Sequence, residues 1–209
     1  VCPNCQSEQI RFFGLGTQKV TDEIAKLFPS ATYLRMDADT TSKRFSHEKI
    51  LNKFRDEKTD ILVGTQMITK GLDFENVTLV GVIAADLSLY QDDFRAGEKT
   101  FSLLTQVVGR AGRGEKDGRA VVQTYYPENE IFSYASNQDY VSFYKNEIAL
   151  RRQMLYPPFC EMINFTASSD SEKTAFDALL NFRNALLDEI KEKNIKADVF
   201  GVQSAPMHR

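Results

Sequence analysis

The chain has 209 residues, of which 42% are hydrophobic, and this length suits one large domain or one and a half. No run of about 18 apolar residues occurs, so no transmembrane helix is expected, and the N-terminus lacks the basic-then-apolar pattern of a signal peptide. The formal net charge of −3 excludes a uniformly basic nucleic-acid-coating protein, so any DNA contact must come from a local patch.

Apolar, β-rich segments alternate with amphipathic helical patterns along most of the chain. Continuous apolar runs such as residues 61–63 and 79–83 are typical of strands that are covered on both faces. Strand–helix alternation predicts right-handed crossovers and a parallel sheet, whose ligands sit beyond the carboxyl ends of the strands. The predicted strands are residues 10–14, 32–36, 60–64, 78–84 and 120–125.

Helices are predicted between these strands and after the last one. Three helical faces are marked by Val20, Ile24 and Leu27, by His47, Ile50, Leu51 and Phe54, and by Phe101, Leu104 and Val108. A longer helix is predicted over residues 140–155, and Pro157 and Pro158 end it. A βαβ-like unit follows, with strands at 162–167 and 199–202 around a helix at 171–193 that Ser171 caps.

The strongest motif is QVVGRAGR at residues 106–113, which resembles motif VI of superfamily 2 helicases. Arg110 and Arg113 are three residues apart, so on a helical turn their guanidinium groups point the same way. Two permanently charged planar groups can meet the γ-phosphate of a nucleotide and the charge that develops on it. The alternative is a solvated basic turn at the end of a helix.

A second motif, VGTQMITKGLDF at residues 63–74, resembles motif V. A buried strand delivers Thr65 to its carboxyl end, where the hydroxyl and the N–H group suit a nucleic-acid phosphate. Gly71 allows a tight backbone, and Asp73 can accept a hydrogen bond from ribose or pair with a motif VI arginine. The alternative for Lys70 and Asp73 is an exposed ion pair worth at most about 1 kcal/mol.

A weaker third motif, GLGTQKV at residues 14–20, follows the first predicted strand. It precedes motifs V and VI in the chain, as motif IV does in superfamily 2 helicases. The alternative, when the motif is taken alone, is a strand-to-helix turn in which Thr17 is the N-cap.

Together with RMDADTT at 35–41, DFRA at 93–96 and YPPF at 156–159, these motifs resemble the PriA family of replication-restart DNA helicases. The resemblance covers nearly the whole chain, with one departure, since Gln18 stands where the family usually has Glu. It implies an α/β fold: a RecA-like parallel sheet with helices on both faces at residues 10–156, which is helicase lobe two. A partial α/β C-terminal domain at residues 157–209 would follow, and the chain would be a fragment of a longer protein.

The resemblance implies an ATP-dependent 3′→5′ DNA helicase that acts in primosome assembly and fork restart in the bacterial cytoplasm. Its partners would be single-stranded and forked DNA, other primosome proteins and single-stranded-DNA-binding protein, without a membrane. ATP with Mg²⁺ would be held mainly by a preceding lobe, because the chain has no G-x-x-x-x-G-K-[ST] loop. We therefore expect negligible ATP hydrolysis by this chain alone. The implied residues are Arg110 and Arg113 for catalysis, Gly71, Asp73 and Gln106 for nucleotide, and Gly16, Thr17, Thr65, Gln66 and Lys70 for DNA.

Residues 1–9 resemble the end of a zinc-knuckle insertion of the same family, with Cys2 and Cys5 as metal ligands. A structural Zn²⁺ site needs four thiolate or imidazole ligands. The other candidates, Cys160, His47 and His208, lack knuckle spacing. We expect half a site that binds Zn²⁺ weakly or not at all.

Two other functions stay open. The chain could belong to another superfamily 2 translocase, including an RNA helicase, or it could be a non-catalytic module that binds DNA or protein. A Walker A motif and a D-E-x-H box upstream of this chain would distinguish a motor from a module.

Overall fold

A computed structural model describes residues 16–37, 40–41, 46–69, 76–109 and 117–204. By compactness the chain divides into two units, Val1–Ile148 and Ala149–Arg209. The domain boundary predicted after residue 156 stays a prediction. None of the helices in the described ranges has the length and apolarity that crossing a bilayer requires.

Four of the five predicted strands are confirmed. They are β1 (Tyr33–Met36), β2 (Ile61–Gly64), β3 (Leu79–Val82) and β4 (Arg119–Val122). The fifth, at residues 10–14, lies outside the described residues. Each observed strand is shorter than its prediction by one to three residues.

The predicted helices are also confirmed, with three short ones added. The first unit contains α1 (Thr17–Leu27), α2 (Ser46–Asp56), a 3₁₀ helix (Gln66–Thr69), α3 (Asp86–Leu89), α4 (Ala96–Val108), α5 (Glu130–Ser136) and the start of α6 (Tyr140–Gln153). Helix α5 was not predicted, although Asn129 caps it by accepting a hydrogen bond from the Ile131 amide at 3.0 Å.

The strand pairs are parallel, as predicted, and the described strands form two separate pairs. Strand β1 pairs with β2, from Tyr33 opposite Ile61 to Met36 opposite Gly64. Strand β3 pairs with β4. Within the described residues, no ladder joins the two pairs. A single sheet that joins both pairs stays a prediction, because the predicted strand at residues 10–14 lies outside the described residues.

The prediction that helices cover both faces is wrong for β3 and β4. Leu79 in β3 and Val121 in β4 are 63% and 54% exposed. Along each of these two strands, exposed residues alternate with half-buried ones. An unbroken apolar run supplies two apolar faces, but the element that covers each face comes from elsewhere in the chain. Among the described residues, only one face of this pair is packed.

Two apolar clusters form the core of the first unit. Phe101, Leu104, Ala135 and Phe143 pack together beneath Val82 and Val122. The rings of Phe101 and Phe143 stack with centroids 4.1 Å apart. Met36 and Leu51 form the second cluster against Leu62 and Ile68. The first cluster fixes α4 and the second fixes β1 and β2.

The second unit corrects the prediction of a βαβ arrangement. Helix α7 (Glu172–Glu192) is confirmed, and the Ser171 hydroxyl caps it by accepting from the Thr174 amide. In residues 149–204 neither predicted strand, 162–167 or 199–202, pairs with another strand. Both segments lie against α7 instead. The rings of Phe165 and Phe182 are 4.8 Å apart, and the Arg183 Nε donates to the Phe200 carbonyl at 3.0 Å. A strand needs a hydrogen-bonding partner, which β propensity does not supply.

The close packing around Gly64 predicts a large cost for a methyl group there. A Cβ at Gly64 would lie 2.3 Å from the Met36 carbonyl oxygen and 2.6 Å from the Ile68 Cδ1 atom. We expect Gly64→Ala to lower the free energy of unfolding by about 1–3 kcal/mol, as overpacking does. Urea unfolding followed by circular dichroism measures it. Gly81→Ala in β3 is the matched control, because its Cβ would meet no atom within 4 Å. Equal stability of the two variants would contradict the packing argument.

Candidate functional site at the carboxyl edge of β1 and β2

The candidate site begins where β1 and β2 end. Because Met36 pairs with Gly64 in a parallel register, the next residues, Asp37 and Thr65, follow neighbouring strands at the same edge of the sheet. The Thr65 carbonyl then accepts the Ile68 amide at 3.1 Å and starts the 3₁₀ helix Gln66–Thr69. The register thus brings a motif V residue beside the RMDADTT segment.

Helix α1 begins at the same edge. The Thr17 hydroxyl donates to the Asp37 carboxylate. Gly16 is the N-cap and contributes no side-chain cap. Thr17 is the first residue of the helix and not its N-cap. The alternative in which Thr17 caps the helix is therefore wrong. The single hydroxyl proton of Thr17 is used by Asp37, so a ligand would meet its oxygen or its main-chain N–H.

Asp37 explains why an aspartate and two threonines occur together in RMDADTT. It is 6% exposed, its Oδ1 accepts the Thr40 amide at 2.9 Å, and its carbonyl accepts the Thr40 and Thr41 hydroxyls. Arg35 Nε lies 3.1 Å from its Oδ2. The Thr17 hydrogen bond above all, then those from Thr40 and the charge of Arg35, lower the pKa of Asp37 against the opposing effect of burial.

Gln18, the departure from the usual Glu, bridges two charged side chains of opposite sign. Its Oε1 accepts from Arg35, and its Nε2 donates to the Asp22 Oδ1 at 2.8 Å. A carboxylate at this position would attract Arg35 but repel Asp22, whereas the neutral amide satisfies both. Gln18 therefore connects the first turn of α1 to the end of β1 without a charge of its own.

A cleft of about 360 Å³ brings motif V and motif VI together. Gln66, predicted to contact DNA, and Gln106, predicted to contact nucleotide, both line it. Gln106 Nε2 donates to the Ser102 hydroxyl at 3.2 Å. Glu98 and Lys99 of α4 contribute charge to the same walls. Helix α4 thus carries one wall of a polar cleft whose other wall begins at Gln66.

The DFRA segment holds the start of α4. The Asp93 carboxylate accepts from Arg95 through Nε at 3.1 Å and Nη2 at 3.2 Å, and from Lys99 Nζ at 2.6 Å. These bonds, that from Arg95 first, hold the pKa of Asp93 far below its usual range.

Asp86, the first residue of α3, ties the segment that follows β3 to the segment that follows β4. It is 2% exposed, and its carboxylate accepts the Thr124 hydroxyl at 2.7 Å and the Tyr125 amide at 3.1 Å. Burial by itself raises its pKa, but these two hydrogen bonds outweigh burial and lower it. Its oxygens are satisfied by protein donors, so its role is structural.

Several predicted site residues lie outside the described ranges. They are Cys2, Cys5, Lys70, Gly71, Asp73, Arg110 and Arg113. Their assignments stay predictions. Within the described residues, no group of three or more His, Cys, Asp or Glu side chains could hold a metal ion. The Cys160 thiol donates to the Leu155 carbonyl at 2.7 Å. The described residues therefore offer no fit for Zn²⁺.

Sequence reasoning missed the role of Asp37 and the contributions of Ser102 and Lys99 to the cleft. The sequence presents Asp37 only as part of the RMDADTT segment, whose pattern indicates the family and not a role for this residue. Its position directly after a strand, at the edge where Thr65 also lies, is a signal that could have identified it. Ser102 and Lys99 carry no such signal, because helix spacing alone does not say which polar residues face a neighbouring element.

The chain matches the family model "Helicase conserved C-terminal domain" over residues 5–115, which is more than half of its length. It therefore belongs to the helicase conserved C-terminal domain family, and this membership implies a RecA-like lobe.

The similar curated proteins share one name, Replication restart protein PriA. The chain is 54% identical to that of Bacillus subtilis (strain 168) over 169 residues, which cover 81% of the chain and 21% of the relative. It is 43% identical to the Synechocystis protein over 173 residues, covering 83% of the chain and 21% of the relative. The Chlamydia trachomatis protein is 44% identical over 163 residues, covering 78% and 22%. The chain spans about a fifth of the length of these relatives, and the resemblance to their family is confirmed.

The buried Asp86 predicts a loss of stability in acid. Its folded-state pKa is lowered, so its ionised form stabilises the fold above its unfolded pKa of about 3.9, and this stabilisation is lost as the pH falls through the folded pKa. Urea unfolding between neutral pH and strongly acidic pH measures it. We expect Asp86→Asn to be less stable at pH 7 by about 1–3 kcal/mol and to lose less on acidification. Thr124→Val removes one hydrogen-bond donor to Asp86, so the loss of stability in acid should begin at a higher pH. Parallel pH profiles for all three proteins would contradict this assignment.

Proposed function

We propose that this chain supplies the second motor lobe of an ATP-dependent DNA helicase that restarts stalled replication forks in the bacterial cytoplasm. The single observation that carries the proposal is convergence. Thr17, whose hydroxyl donates to Asp37, and Thr65, which follows β2, lie at one edge of the β1–β2 sheet, and Gln66 and Gln106 line one cleft. Gln66, which is expected to contact DNA, therefore shares a cleft with Gln106, which is expected to contact nucleotide.

The DNA-binding residues in this proposal are Gly16, Thr17, Thr65, Gln66 and Lys70. Phosphate contacts position a strand without reading its sequence, which is what a translocating motor needs. The first-turn N–H groups of α1 have no intrahelical acceptor, and they are available to a phosphate. We infer that single-stranded DNA, including the single strand at a fork, passes along this edge.

The nucleotide side of the proposal rests on motif VI. Arg110 and Arg113 would meet the γ-phosphate of an ATP held mainly by a preceding lobe, and Gly71, Asp73 and Gln106 would complete the contact from this side. Bound ATP with Mg²⁺ supplies the free energy of each step. Since the chain has no phosphate-binding loop, we expect it to hydrolyse ATP negligibly alone.

The choice of track rests on the relatives. They are named replication restart proteins, which favours DNA over RNA and a motor over a binding module. We accordingly propose 3′→5′ movement, with other primosome proteins and single-stranded-DNA-binding protein as partners. The half zinc site predicted at Cys2 and Cys5 lies outside the described residues and stays a prediction.

The arginine assignment predicts a large kinetic effect. In the full-length protein, we expect Arg113→Ala to lower DNA-stimulated ATP hydrolysis by roughly 10³–10⁵-fold, as loss of an arginine finger does. DNA affinity should change far less. Arg119→Ala, which removes an exposed arginine at the start of β4, is the control. Wild-type turnover in Arg113→Ala would end the helicase assignment.

Gly16 gives a separate test of the DNA contact. A Cβ there would meet no atom within 4 Å, and the backbone φ of −59° suits any residue. We expect Gly16→Ala to change the free energy of unfolding by less than about 1 kcal/mol, which is the effect of a poorer N-cap. Binding of labelled oligodeoxythymidylate, followed by fluorescence anisotropy, should weaken, because the methyl group stands where a phosphate approaches the backbone. Gly81→Ala should bind normally, and unchanged binding in Gly16→Ala would remove this edge from the DNA path.

A further inference from the structure

We infer that Asp37 is a positioning residue for DNA binding. It would hold the Gly16–Thr17 turn in place by taking the Thr17 hydroxyl proton, so that a phosphate is met by main-chain N–H groups and not by the hydroxyl. This inference rests on the proposed function, because it assumes that the start of α1 contacts DNA.

The geometry centres on one buried carboxylate. Asp37 is 6% exposed, and its Oδ2 accepts from the Thr17 hydroxyl and lies 3.1 Å from Arg35 Nε. Its Oδ1 accepts the Thr40 amide at 2.9 Å. Three donors thus meet on the two oxygens of a single side chain, and those from Thr17 and Thr40 tie their own segments to the end of β1.

The proton of the Thr17 hydroxyl decides what a phosphate can bind. A threonine hydroxyl has one proton, and here it points at Asp37. The hydroxyl oxygen presents lone pairs to any other approaching group, and lone pairs repel a phosphate oxygen. The first-turn N–H groups of α1 have no intrahelical acceptor, so they are the donors that the turn offers.

The negative charge of Asp37 would by itself weaken phosphate binding, because a carboxylate repels an anion. Arg35 neutralises Asp37 at 3.1 Å and is itself linked to Gln18 in the first turn of α1. The segment is therefore held by an ion pair with little net charge. This arrangement gives rigidity at the edge of β1 without repelling DNA.

The two possible roles of Asp37 predict opposite signs for one substitution. If Thr17 contacts DNA through its hydroxyl, Asp37→Asn frees the proton and removes a negative charge, so DNA binds as before or more tightly. If Asp37 positions the turn, the same substitution weakens DNA binding, because the amide cannot accept from both Thr17 and Thr40 as the carboxylate does.

The experiment measures, in the full-length protein, the DNA concentration that half-saturates ATP hydrolysis, and the rate at saturating DNA. Oligodeoxythymidylate is the probe. We expect Asp37→Asn and Thr17→Val each to raise the half-saturating concentration about tenfold, the size of a lost hydrogen bond to a charged group. The double variant should be no worse than either alone, because both act through one contact. The rate at saturation should stay within about twofold, and Thr17→Ser should restore binding by restoring the donor.

A matched control lies at the opposite end of the same strands. The Asp60 carboxylate accepts the Thr32 amide and the Thr32 hydroxyl, each at 2.8 Å. Asp60→Asn therefore removes the same kind of Asp–Thr pair and should leave the half-saturating DNA concentration unchanged. An equal effect in Asp60→Asn would overturn the inference, since loss of stability would then explain both variants.

The remaining outcomes separate this inference from the proposed function. If Asp37→Asn and Thr17→Val bind DNA normally while Gly16→Ala binds weakly, the edge contacts DNA but Asp37 does not position it. If Gly16→Ala and Thr65→Val both leave the DNA response unchanged, the proposed DNA path itself is wrong. Should Asp37→Asn fail to fold, Thr17→Val and its restoration by Thr17→Ser decide the question.

Discussion

The parallel register of β1 and β2 is the constraint on which the candidate site depends. Met36 lies opposite Gly64, and this pairing is possible because Gly64 has no side chain to meet the Met36 carbonyl 2.3 Å from its Cβ position. Parallel pairing places two strand ends at one edge. Asp37 and Thr65 therefore become neighbours although they are far apart in the chain. A slip by one residue would turn the side chains of one strand to the other face and separate the two.

Three aspartates at strand ends or loop starts show how polar groups organise this protein. Asp37 joins α1 to β1, Asp86 joins β3 to β4, and Asp93 anchors the start of α4. In each case hydrogen bonds or cations stabilise the ionised form and lower the pKa. Each aspartate orients the segment that follows a strand or precedes a helix, so loops that carry functional groups are fixed by charge-assisted hydrogen bonds rather than by apolar packing.

Helix α4 connects the two parts of the site. Its buried side packs Phe101 and Leu104 into the larger core cluster, and its other side presents Ser102 and Gln106 to the cleft that Gln66 also lines. The cleft is therefore built on a rigid helix, which suits a site in which groups must hold their positions while a ligand binds. In the proposed motor, this helix would transmit changes at the nucleotide to the DNA edge.

The order of β1 to β4 and of the longer helices, the parallel sense of pairing and the family could be predicted from the sequence, because apolar periodicity and short motifs such as residues 63–74 and 106–113 are local properties of the chain. The N-cap at Ser171 was also predictable from the sequence. Three features could not be predicted: the described strands form two pairs, residues 162–167 and 199–202 pair with no described strand, and the Thr17 hydroxyl donates to Asp37. These outcomes depend on which distant groups meet, and the free energy of such contacts is set by partners that no local pattern contains.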